Sequence, residues 1–180
     1  ITTEDSSKKF KFIHLNGAHV PYIYDKEMNI INEWDGTYEQ STQATLFGAM
    51  DYVEQLRESG AYDNTAIIVM SDHGFNGSLA QSGDATWMRQ CAMLLVKGRN
   101  EHHDTMQISQ APISFEDLQE AYVRLLDGEQ GDSIFDWKEG DVRERRFLRY
   151  SFLDDSHMQE YMQTGYASDM DTMILTGREY

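Results

Sequence analysis

Asp72 and His73, set between Ser71 and Gly74, are the residues of this sequence best placed to do chemistry. A carboxylate oxygen and an imidazole nitrogen are both good ligands for a divalent metal ion. The glycine that follows lets the chain turn sharply behind them. A turn-capping Asp beside a packing His is the ordinary reading of an isolated Asp-His pair. Here the pair directly follows the apolar run Ala66-Ile67-Ile68-Val69-Met70, and that setting favours the metal-ligating reading. A second candidate, His19, lies in the loop Gly17-Ala18-His19-Val20-Pro21-Tyr22.

The elements that must position these groups follow from periodicity. Five successive apolar residues at 66–70, rich in β-branched types, predict a strand buried on both faces, as parallel sheets require. Open α/β sheets place their ligands at the carboxyl ends of such strands, where Asp72 and His73 stand. Residues 9–15 carry Phe10, Phe12, Ile13 and Leu15 and predict an earlier strand that ends at the His19 loop. Between the two, residues 38–59 contain no Pro and no turn cluster. Leu46, Met50, Val53 and Leu56 share one helical face there, and Gly60 supplies the stop. The order strand, loop, helix, strand is a βαβ arrangement. Residues 92–96 predict a third buried strand, with Cys91 as a small core residue before it. The glycine-containing stretch 74–84 predicts a loop beside the site. Ser114 and Asp117 form a capping box opening a second helix, with Phe115, Leu118, Tyr122 and Leu125 as its stripe and Gly128 past its end. After Gly131 the pieces 147–153, around Tyr161, and 173–175 predict a small antiparallel appendage. The expected division is therefore 1–130 and 131–180.

Bulk composition narrows the function classes. The 180 residues include 15 Lys plus Arg against 31 Asp plus Glu, a formal charge of −16. Nucleic-acid and anionic-lipid surfaces need a basic face, so both are disfavoured. The only basic cluster, Arg143, Arg145, Arg146 and Arg149, is diluted by Glu144 and predicts a solvated, partly paired face. The single cysteine rules out an internal disulfide, and no stretch has the apolar length to span a bilayer. The chain opens on Ile1 and reads as a piece of a longer protein. Other histidines are weaker candidates. His14 predicts a core residue of the first strand, and His102 and His103 a solvated loop. Asp154, Asp155 and His157 follow no recognised ligand spacing. The acidic stretch 127–141 lacks the alternating ligands of an EF-hand.

Taken in order, the loop Gly17-Ala18-His19-Val20-Pro21-Tyr22, the long helix, the lead-in Gly60-Ala61-Tyr62-Asp63-Asn64-Thr65 and Ser71-Asp72-His73-Gly74 resemble the carboxyl-terminal half of the catalytic domain of the alkaline phosphatase/sulfatase superfamily. The nearest branch is that of the lipoteichoic acid synthase-like phosphoglycerol transferases. Leu94-Leu95-Val96-Lys97-Gly98-Arg99 is similar to the next core strand of that family, and Ile113-Ser114-Phe115-Glu116-Asp117-Leu118 to the start of a later helix. The likeness covers roughly residues 10–128. It implies an α/β fold: a parallel-rich, alkaline-phosphatase-like sheet flanked by helices, present as a partial domain.

The resemblance also implies roles. Asp72 and His73 match paired metal ligands, and His19 matches a histidine that contacts the substrate phosphate. The family's Thr or Ser nucleophile and a further acidic ligand lie upstream of the His19 segment, and no Ser or Thr here maps onto that nucleophile. The chain is therefore expected to be inert alone. Two-metal members carry an Asp four residues before the loop histidine; Leu15 occupies that position, which favours a single-metal site. One divalent ion is implied, manganese or magnesium first and zinc third. The implied activity is transfer of a phosphoglycerol or related phospho-group on lipid-linked or glycan substrates. Its place would be the extracytoplasmic face of a bacterial cell membrane, with membrane helices ahead of Ile1. A sulfatase or phosphodiesterase is the alternative within the class, and a non-catalytic acidic scaffold the alternative outside it. An unpaired sheet edge in this chain would invite dimerisation.

Overall fold

The structure is a computed structural model that describes residues 9–75, 90–151 and 154–180. It divides into two compact units, Ile1–Thr65 and Ala66–Tyr180.

The first unit is built around one helix, α1 (Tyr38–Glu58). Its start is fixed by a capping box. Gln40 N donates to Thr37 Oγ1 at 3.2 Å, and Thr37 N donates to Gln40 Oε1 at 3.0 Å, so two otherwise orphan donors are satisfied reciprocally. Gly60, at φ 72°, adopts the left-handed conformation that ends the helix. The buried face is Ser41, Ala44, Val53 and Leu56, whereas Met50 is exposed. The expected helix is thus present, and small residues occupy the first half of its inner face. Ahead of α1, Tyr24 and Ile30 form an isolated antiparallel bridge around a turn in which Asp25 Oδ1 accepts from the backbone of Glu27 and Asn29.

Residues 9–15 do not form the predicted strand. They carry no regular structure, and Phe10, Phe12, Ile13 and Leu15 are all exposed. His14, expected in a strand core, is exposed with them. Apolar alternation gives a segment the capacity to be a strand, but a strand exists only where a neighbour satisfies its backbone donors and acceptors.

In the second unit, β1 (Ile67–Met70) pairs with β2 (Leu94–Lys97), Ile67 opposite Lys97 and Met70 opposite Leu94. The pairing is antiparallel. The parallel-rich sheet expected from the apolar runs is therefore not what the described strands form; the coarser α/β character stands. An apolar run reports burial and says nothing about the direction of the neighbouring strand. Burial is also one-sided. Ile68, Leu94 and Val96 pack against a core of Leu118, Ala121, Leu125, Ile134 and Phe135, while Met70 and Leu95 are exposed.

That core belongs largely to α2 (Leu118–Asp127), entered through a short 3-10 turn, Phe115–Asp117. The Ser114–Asp117 capping box is present, with Ser114 N donating to Asp117 Oδ2 at 2.7 Å. Gly128 ends the helix at φ 98°, in the left-handed region where a Cβ is costly. Of the expected stripe, Leu118 and Leu125 are buried and Phe115 and Tyr122 are exposed; Ala121 fills the face instead. Cys91 is half-buried, and its thiol donates to the Ala167 carbonyl at 2.7 Å.

Three further strands, β3 (Arg145–Ser151), β4 (Asp154–Gln163) and β5 (Met173–Glu179), form an antiparallel sheet in the order β3-β4-β5. Phe147 stacks on Tyr161 across the β3–β4 pair at 5.8 Å between ring centres. Glu160 is buried in this sheet, bonded to Arg146 Nη1 at 2.9 Å, Thr176 Oγ1 at 3.0 Å and Tyr180 Oη at 3.2 Å.

Candidate functional site

The Asp72–His73 pair sits where β1 leaves its sheet. Ser71 N donates to Met93 O at 3.1 Å, continuing the β1–β2 register by one residue, and the chain then turns away. His73 N donates to Asp72 Oδ1 at 2.9 Å, which holds the carboxylate over its own backbone. His73 Nδ1 lies 2.6 Å from the Gly74 carbonyl. A carbonyl only accepts, so Nδ1 is the donor there and Nε2 is the ring nitrogen left for a ligand. A metal-ligating histidine is usually held this way, by a carbonyl on the other ring nitrogen. That Nε2 stands 3.8 Å from Asp72 Oδ2.

The Asp72 side chain is 87% exposed and that of His73 39%. At 3.8 Å and with this exposure the contact contributes little stability, so the two groups are not committed to one another. They offer a hard oxygen and a borderline nitrogen on one side of a turn. As donor types they fit a divalent cation, as part of its coordination shell. Among the described residues, no group of three or more His, Cys, Asp or Glu side chains is disposed to hold a metal ion.

His19 belongs to the first unit, in an exposed loop closed by His19 N donating to Asn16 O at 3.4 Å. Its Nδ1 lies 2.6 Å from the Val20 carbonyl, so Nδ1 is the donor there and Nε2 is the ring nitrogen left for other partners. The loop lies against α1 at Gly17, where any side chain would collide with the Thr45 hydroxyl. That glycine is needed for close approach, and the Thr45 hydroxyl is itself fixed by a 2.8 Å bond to Ser41 O. Asp72 and His73 are neighbours in the second unit, and His19 belongs to the first.

Among the other candidates, His103 Nε2 pairs with Glu101 Oε1 at 3.1 Å. Glu101 Oε2 accepts from Gly98 N at 2.6 Å, so this cluster clasps the turn after β2. Asp154 and Asp155 and most of the 74–84 stretch fall outside the described residues or side chains. The basic cluster is largely engaged. Arg143 contacts Asp117 at 2.6 Å and Glu116 at 3.2 Å and lies over the Trp137 ring, and Arg146 pairs with Glu144 and Glu160. Sequence reasoning missed the Ser71 hydroxyl, which accepts from Met93 N at 2.9 Å. Its only signal was position, one residue before the pair at a strand exit.

The chain matches no protein-family profile. An 81-residue stretch, 44% of the chain, is 32% identical to part of the hybrid PKS-NRPS synthetase pvhA of Talaromyces variabilis. The chain spans 2% of that relative's length. No solved structure matches it. Among the described residues, no helix is long and apolar enough to cross a membrane.

Proposed function

We propose that this chain supplies part of the active site of a metal-dependent transferase that moves a phosphoglycerol or related phospho-group on lipid-linked or glycan substrates outside a bacterial cell. The observation that carries the reading is the Asp72–His73 pair at the exit of β1, with Nδ1 of His73 engaged by Gly74 and Nε2 turned towards the carboxylate. The order of the His19 loop, the long helix and the Ser71-Asp72-His73-Gly74 turn supports it further. The finer fold of the same proposal is an alkaline-phosphatase-like sheet to which these 180 residues contribute a portion.

In this reading Asp72 and His73 hold one divalent ion, manganese or magnesium before zinc. Such an ion, when bound, acts as a Lewis acid on phosphoryl oxygens and lowers the pKa of a hydroxyl nucleophile. Asp72 contributes the negative charge and His73 a neutral nitrogen kept in the ligating tautomer by Gly74. His19, as an imidazolium with Nδ1 on the Val20 carbonyl, donates from Nε2 to a phosphate oxygen, where charge builds during attack at phosphorus. The hydroxyl nucleophile and the remaining acidic ligand come from outside these residues.

The test uses the full-length gene product with manganese and a lipid-linked phosphoglycerol donor in vesicles. Asp72→Ala and His73→Ala are each expected to lower turnover by about 100-fold or more, since each removes a direct metal donor and even outer-shell changes cost 10–100-fold. His19→Ala is expected to lower turnover while leaving metal affinity intact. Unchanged turnover in both ligand variants would rule the proposal out. A second reading, an acidic scaffold without chemistry, draws on one observation: no third ligand joins the pair among the described residues.

A further inference from the structure

We infer that the Ser71 hydroxyl is the positioning group for the Asp72–His73 pair, an inference that rests on the metal-ligating reading of that pair. In an antiparallel ladder, directly opposed residues of a hydrogen-bonded pair exchange two main-chain bonds. The β1–β2 register sets Ser71 opposite Met93. The first bond is regular, Ser71 N to Met93 O at 3.1 Å. The second is not: Met93 N donates to Ser71 Oγ at 2.9 Å, the side chain standing in for the residue's own carbonyl. The ladder is thereby closed without holding the Ser71 carbonyl in the sheet plane, and the peptide that follows is able to rotate out. Asp72 is the first residue beyond that rotation, and its carboxylate then receives His73 N while Gly74 receives His73 Nδ1. A residue without a hydroxyl at 71 either leaves Met93 N unbonded or draws the main chain back into the ladder. Either change re-aims both donors.

The test compares the 180-residue chain with Ser71→Ala and Ser71→Thr by NMR, reading the tautomer of the His73 ring, the exchange rate of the Met93 amide and the line broadening caused by added manganese. The unmodified chain is expected to hold His73 in the Nδ1–H form. Ser71→Ala is expected to mix the two tautomers and to speed Met93 exchange about tenfold, the effect of losing one hydrogen bond. Ser71→Thr, which keeps the hydroxyl, is expected to retain both properties. Unchanged tautomer and exchange in Ser71→Ala would overturn the positioning role, whatever manganese does. An unfolded Ser71→Ala beside a folded Ser71→Thr would also overturn it, because the hydroxyl would then be holding the fold. The expected Ser71 response with no manganese effect at Asp72 or His73 would uphold the positioning role and overturn the metal reading of the pair.

Discussion

At the scale of single residues, groups of the same chemical type take on opposite duties. Asp72 is almost wholly in water and, among the described residues, bonds to its neighbour His73, whereas Asp117 is largely buried and caps a helix while meeting Arg143. The first is available to a ligand and the second is structural. Arg143, only 11% exposed, ties that cap to the Pro112 carbonyl and to Trp137. Arg143→Ala is therefore expected to lower stability by about 2 kcal/mol, the worth of a charge-assisted bond left half-made, measured by urea unfolding. Asp72→Ala, by contrast, is expected to leave the unfolding midpoint within about 0.5 kcal/mol of the parent chain, as exposed sites do. The types of Asp72 and His73 were legible in the sequence because ligand chemistry is a property of side chains. The Ser71 bond was not legible, because it depends on which residue of another strand lies opposite.

At the scale of elements, what the sequence reveals depends on whether the determinant is local. The Ser114–Asp117 box and Gly128 act within a few residues of the helix end they define, and both could be read directly. The direction of β2 relative to β1 is decided by a chain path 23 residues long, from Ser71 to Met93, and no local pattern encodes it. Segment 9–15 has strand composition and no strand, for the same reason: its partner is a tertiary matter. Periodicity found Val53, Leu56, Leu118 and Leu125 on the inner faces of the helices but also placed Met50, Phe115 and Tyr122 there, which are exposed. Met50 is 56% exposed, whereas Leu125 is 3% exposed in the β1–β2–α2 core. Leu125→Ala is expected to cost about 2–5 kcal/mol through lost burial and the cavity left behind. Met50→Ala is expected to cost less than about 0.5 kcal/mol. Equal losses in thermal or denaturant unfolding would contradict the packing described.

At the scale of the whole molecule, the excess of acidic groups makes the fold sensitive to protons at a few buried carboxyls. Burial pushes the Glu160 carboxyl up, but hydrogen bonds from Thr176, Tyr180 and Arg146, with the charge of Arg178, outweigh it and hold the group below its ordinary range. Glu101 is likewise raised by burial and brought lower by the Gly98 amide, His103 and the Gly131 amide. For both, the unfolded chain takes up protons at a higher pH than the folded chain. Stability is then fully present above the ordinary glutamate value of about 4.5 and is lost as pH falls through the lower folded values. Acid unfolding in that window, made less steep by Glu160→Gln, is the expected outcome, read by circular dichroism. The proposed function requires that Asp72 and His73 together take a divalent cation. The most direct measurement is a manganese titration of the 180-residue chain followed residue by residue in NMR spectra, alongside Asp72→Ala. Broadening centred on Asp72 and His73, weak in affinity and abolished by Asp72→Ala, is predicted. Broadening centred elsewhere, or unchanged by that substitution, would contradict the claim.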